Sequence, residues 1–226
     1  MKKLFLVIAL CGFTMMASAQ EEKPVSDKKV SPEMVALQTA TSLAKYGYAT
    51  FSPSSLAEAA RILSTTNLQD LSAKPTRGAS QEQASKQCVV SFEPAQLIAD
   101  AKKYANNDKA ILSYIKQVEK SIASAPASTR GAVGGPKYAQ DRVYGKDYVQ
   151  YQVKFWAGEL AEIIVVGDGD NDLDLYVYDQ NGNLIASDAD YTDQCVCRWV
   201  PAWTGTFTIR IVNRGAIYSN YAIATN

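Results

Sequence analysis

The sequence predicts an α+β protein in separate domains, a small all-α helical domain followed by an all-β sandwich. Three observations predict it. Residues 31–122 carry apolar side chains three and four apart behind serine- and proline-marked starts, the helical period. From Asp147 the period changes to two, as in strands with one wet face. Between these regions, residues 123–140 are small, rich in glycine and proline, and aperiodic, which reads as a linker.

The chain of 226 residues opens on Met1-Lys2-Lys3, an apolar run from Leu4 to about Met16, and Ala17-Ser18-Ala19. A basic start, an apolar stretch too short to span a bilayer and small residues before the cut make a secretory signal peptide over 1–19, cleaved after Ala19. A lipidated Cys11 is the weaker reading, because Leu10 is bulky where a small residue is wanted. Cleavage removes Lys2 and Lys3 and no acid, so the 23 basic residues fall to 21 against 23 acidic. No second long apolar run follows, so no membrane span is expected. A near-neutral chain without a basic tract gives no electrostatic case for nucleic acid.

Residues 20–30 form a polar leader. Ser31-Pro32-Glu33 then starts a helix: a capping hydroxyl, a proline in the first turn and an acid at the positive end of the dipole. Met34, Leu37, Ala40 and Ala44 mark its face, and Gly47 suits its stop. Ser52-Pro53 opens a second helix, with Leu56, Ala59, Ala60 and Leu63 on one side. Residues 68–87 lack pattern and read as a mobile loop. Pro94 opens a third helix (Leu97, Ile98, Ala101, Tyr104), and Asn107 or Asp108 caps a fourth (Ile111, Ile115, Val118, Ile122). In the sandwich, spanning 141–226, seven short strands follow. Val149, Tyr151, Val153 and Phe155 alternate; 159–166 is almost wholly apolar and so central; Asn181-Gly182 marks a hairpin; Pro201 stops the fifth.

The chain has no histidine, which excludes Ser-His-Asp and Cys-His catalysis and every histidine-ligated metal. No phosphate loop, dinucleotide fingerprint or Gly-x-Ser-x-Gly is present. After cleavage three cysteines remain, Cys88, Cys195 and Cys197, so an oxidising compartment implies one disulfide and one thiol left over. Cys88 could bond either partner, a Cys195–Cys197 bond would be strained, and the odd thiol could join two chains.

The densest chemistry lies in Gly167-Asp168-Gly169-Asp170-Asn171-Asp172-Leu173-Asp174-Leu175-Tyr176-Val177-Tyr178-Asp179. Asp168, Asp170, Asp172 and Asp174 offer the hard oxygens calcium takes, and a cation would relieve their mutual repulsion. The competing reading is a solvated Asp/Gly turn. A second acidic loop, Asp188, Asp190 and Asp193, reads as solvated. Tyr176, Tyr178, Trp199 and Trp203 are candidates for an aromatic ligand platform if exposed, while packing inside the sandwich is the favoured reading of the two tryptophans.

The same aspartate segment, with Asn181-Gly182-Asn183, Pro201-x-Trp203-Thr204-Gly205, Asn213 and Asn220-Tyr221, resembles the bacterial pre-peptidase C-terminal domain over about 142–226. The resemblance implies a jelly-roll-like, non-catalytic sandwich of secreted bacterial proteins, with calcium bound in related domains. This chain departs from it in having no protease domain ahead of the sandwich and only Asp141 in place of an acidic front segment. The function expected is a secreted binding or structural protein that contacts an envelope or extracellular protein or glycan. The alternatives are a hydrolase with the sandwich as accessory, and a subunit covalently linked into an envelope assembly as a disulfide-bonded dimer.

Overall fold

The computed structural model describes residues 31–66, 68–80, 90–125 and 136–226. The expected signal peptide and polar leader, and Cys88, lie outside them. Four helices come first: α1 (Pro32–Thr50), α2 (Pro53–Thr65), α3 (Pro94–Tyr104) and α4 (Lys109–Ser124). Their starts are held locally. The Ser31 hydroxyl accepts from Met34 N, Ser52 from Ser55 N, and the Asp108 carboxylate from Ala110 N and Ile111 N. α1 does not stop at Gly47 but runs three residues further, ending on Phe51 in the left-handed region (φ 52°). Gly47 serves packing instead: a Cβ there would stand 2.5 Å from a Leu56 methyl, so its absence lets α2 close onto α1.

Eight strands build the sandwich: β3 (Lys137–Val143), β4 (Tyr148–Phe155), β5 (Ala161–Gly167), β6 (Leu173–Tyr178), β7 (Leu184–Asp188), β8 (Gln194–Trp199), β9 (Gly205–Asn213) and β10 (Ser219–Thr225). The first of them begins in the stretch read as a linker and ends inside the predicted sandwich. Its alternation is weak because most of its residues are half-buried on both faces. Two strands come from the supposed mobile loop. β1 (Gln69–Asp70) pairs parallel with β3, and β2 (Thr76–Arg77) pairs antiparallel with β4. The first sheet has the order β1-β3-β10-β5-β8 and the second β2-β4-β9-β6-β7. The segment from β1 to β2 therefore passes from an edge of one sheet to an edge of the other, inserting Leu71 into the core between them.

Inward residues of the sandwich, among them Ile163, Val165, Leu173, Leu175, Phe207, Ile209, Ile211 and Ile223, make one core. At its centre the Tyr151 and Tyr221 hydroxyls bond at 2.7 Å, and burial raises both phenols, Tyr151 to about 12. The outward residues of β5 and β10, Ile164, Val166, Ala222 and Ala224, belong to a second core shared with the helices. Leu37 and Thr41 of α1 lie against them. The helical and β parts are thus layers of one packed body rather than separate domains, and β5 is apolar from Ile163 to Val166 because both of its faces are covered there.

Candidate functional site

The aspartate loop is pinned to the β9–β10 turn by its own side chains. Asp168 is buried and accepts from Ser219 Oγ at 2.7 Å and Asn220 N at 2.8 Å. Asn171 Nδ2 donates to Ile217 O and Tyr218 O, and a Cβ on Gly215 would overlap its amide oxygen at 1.7 Å. Arg214 N donates to Asp172 O. On β6, buried Asp174 accepts from the Arg214 guanidinium and from the Tyr176 hydroxyl at 2.9 Å. Asp170 is exposed. Asp172 Oδ1 is buried with no hydrogen-bond partner among the described residues, and burial, followed by the Asp174 charge, raises its pKa above the usual carboxylate value.

The four carboxylates therefore do not share a common centre: Asp168 and Asp174 turn to different protein donors. Among the described residues no three Asp, Glu, Cys or His side chains converge as metal ligands. Two of the four already accept from protein donors that a cation would have to displace, so this arrangement does not fit a calcium cage. The second acidic loop is likewise partnered rather than simply solvated. Asp188 accepts from Val196 N, Asp190 from Thr192, and Asp193 takes Lys45 Nζ at 2.6 and 2.7 Å. The last contact clamps α1 to the loop before β8.

Cys195 and Cys197 are free and buried, both facing the sandwich core. The Cys195 thiol donates to Leu173 O at 3.0 Å. Burial pushes both thiols up, Cys197 to about 12. Neither of these two is placed to bond across to another chain, and Cys88 lies outside the described residues.

Trp199 is core, 3 % exposed, with ring centroids 4.8 Å from Phe155 and 5.5 Å from Phe207. Trp203 is half-buried and stacks on Phe207 at 6.1 Å; Gly205 makes room for its ring. Neither forms a platform with the tyrosines.

Tyr176 and Tyr178 do stand on the outer face of the second sheet, stacked at 6.4 Å. Register places Arg210 between Gln150 and Tyr176. Its guanidinium lies 4.8 Å from the Tyr148 ring and 5.4 Å from that of Tyr178. The Gln150 amide oxygen accepts from it at 2.7 and 2.8 Å. Tyr148, Tyr176, Tyr178, Gln150, Gln152, Thr208 and Arg210 thus form a continuous aromatic and polar face, half-buried to exposed. Rigid rings around a planar cation present large contact area at low entropic cost. The outward period of β4 and β9 held Tyr148 and Arg210 in view, but only cross-strand register brings them to Tyr178.

No family model and no curated protein matches the chain. Among solved structures it is similar to the periplasmic g-type lysozyme inhibitor PliG of Aeromonas hydrophila (17 % identity, 43 % of this chain and 91 % of that one, TM-score 0.33). PliG of Salmonella Typhimurium is similar at 14 % identity over 42 % and 90 % of the chains, with a TM-score of 0.31. A carbohydrate-binding module of Cellvibrio mixtus lichenase 5A, solved with cellotriose, matches at 13 % identity over 39 % and 86 %, TM-score 0.25. Each likeness covers less than half of this chain.

Proposed function

We propose that this chain is a secreted, non-catalytic binding protein whose second sheet presents its outer face to an envelope or extracellular protein or glycan. The observation that carries this reading is the asymmetry of the sandwich. Helices cover the outside of one sheet, while the other displays Tyr148, Tyr176, Tyr178 and Arg210. Aromatic residues and arginine are the types enriched in interfaces. Export by the segment ending at Ala19 belongs to the same reading.

The strand order also supports a jelly roll. Numbered from β3, the strands run 1-8-3-6 in one sheet and 2-7-4-5 in the other, which is two interleaved Greek keys. The pre-peptidase C-terminal resemblance fits this as well, since its quoted residues Asp168, Asn213 and Asn220 tie the turns at one end of the sandwich. The hydrolase alternative has no such support.

Surface plasmon resonance on the whole protein tests the reading, with a g-type lysozyme as protein probe and cellotriose as glycan probe. Binding of either, weakened about tenfold or more by Tyr178→Ala with Arg210→Ala, is the expected result. Wild-type affinity in the double variant would remove this face from the reading.

A further inference from the structure

The first residues of α1, the turn between β4 and β5 and the end of β10 enclose a cavity of about 390 Å³, large enough for a ligand of two residues. Pro136, Phe155, Leu160 and Ala161 give it an apolar floor, and Trp156, 47 % exposed, stands at its rim. The turn holding Trp156 is fixed: Ala157 N donates to Thr204 Oγ1 at 3.0 Å and Gly158 N to Pro201 O at 2.8 Å, with Gly158 at φ 75°. The wall is fixed too. Asn226 Oδ1 accepts from Glu162 N at 2.9 Å and its Nδ2 donates to Leu160 O at 2.6 Å.

Four charged side chains border this space: Glu33, Glu159, Lys137 and Lys154. Among the described residues none of the four is in an ion pair; Lys154 instead lies 5.1 Å from the Trp156 ring centroid. Each alone is an ordinary surface charge, and Glu33 also sits well at a helix start. What that does not explain is their meeting, two of each sign, around an apolar-floored cavity with a tryptophan on a rigid turn. An uncharged ligand would strip water from these groups and return little. A ligand carrying both an ammonium and a carboxylate would compensate each sign in turn.

We infer that this cavity binds a small zwitterionic peptide of dipeptide size. Its ammonium would meet Glu33 and Glu159, its carboxylate Lys137 and Lys154, and an apolar side chain would rest on Trp156. This site is separate from the open sheet face, and substitutions at Tyr178 and Arg210 leave it intact.

The test is tryptophan fluorescence and titration calorimetry on the whole protein with alanyl-leucine as probe, against N-acetyl-alanyl-leucine amide and cellobiose. Saturable binding of alanyl-leucine is expected, about tenfold or more weaker for the blocked peptide and for the exposed-turn variants Glu159→Gln and Trp156→Ala, and weakening with salt. Far-ultraviolet circular dichroism matching wild type shows that the variants fold. Equal binding of free and blocked peptide, binding of cellobiose alone, or no saturation by millimolar alanyl-leucine would each overturn the inference.

Discussion

On the first sheet the outward residues of β5 and β10 are Ile164, Val166, Ala222 and Ala224, buried beneath α1; on the second they are Tyr148, Gln150, Gln152, Tyr178, Thr208 and Arg210, half-buried to exposed. Both sheets alternate, and both turn their second set of side chains away from the common core. The difference lies in the size and polarity of that second set. Small aliphatic residues let a helix approach the sheet, whereas tyrosines around an arginine cannot be capped by a helix without desolvating a guanidinium. The covered face joins sheet to helices, and the open face stays accessible to solvent.

The largest expected effect tests this division. Ile164→Asp should cost about 3–5 kcal/mol in equilibrium denaturation, by burying an unpaired carboxylate between sheet and helix. Gln152→Asp, on the exposed face, should stay within about 0.5 kcal/mol. Similar losses at the two positions would break the comparison. Next, Gly47→Ala should cost about 1–3 kcal/mol, because the new methyl meets Leu56 and pushes α2 away from α1. Thermal unfolding measures it, and a neutral outcome would mean that the helical layer yields easily.

Lys45→Met should remove about 1 kcal/mol, an effect that shrinks as salt is raised, since its contact with Asp193 is part-buried. A loss independent of ionic strength would point to packing of the lysine stem instead. The smallest effect is at Asp179, on the hairpin at the edge of the open sheet. Burial alone would raise its carboxyl, yet hydrogen bonds from Asn183, Asn181 and Gly182 outweigh it and hold the pKa low. Stability from such a group is present above the unfolded pKa of about 3.9 and is lost as pH falls through the lower folded value. Asp179→Asn should therefore lower the melting temperature at pH 7, and the gap from wild type should narrow toward pH 2. A gap constant with pH would assign Asp179 no electrostatic role.

Much of the local structure was legible because its causes are local. Ser31, Ser52 and Asp108 mark helix starts through bonds spanning two or three residues, and Pro94 marks one through its fixed φ at the first helical position. The alternation of β4 and β9 was as plain. β3 was not, because its mixed residues sit between a sheet edge and the helices and follow no single face. Strands of two residues, β1 and β2, carry no period at all. Within the site, four aspartates in seven positions signal charge but not direction. Asp168 turns to Ser219 and Asp174 to Arg214, choices settled by partners more than forty residues away or close to it. The Lys45–Asp193 contact spans 148 positions and has no sequence signature.

The path of residues 69–77 has a consequence for how this protein can be divided. By lending an edge strand to each sheet and Leu71 to the interior, the helical half shields β3 and β4 from the solvent side. A fragment begun at residue 136 would present two bare rows of backbone donors and acceptors, the condition under which β-proteins join edge to edge. It would also uncover the aliphatic outer surface of β5 and β10. Such a piece would tend to self-associate, so its behaviour would report on that association and not on the intact chain. The two halves make one unit because neither is finished alone.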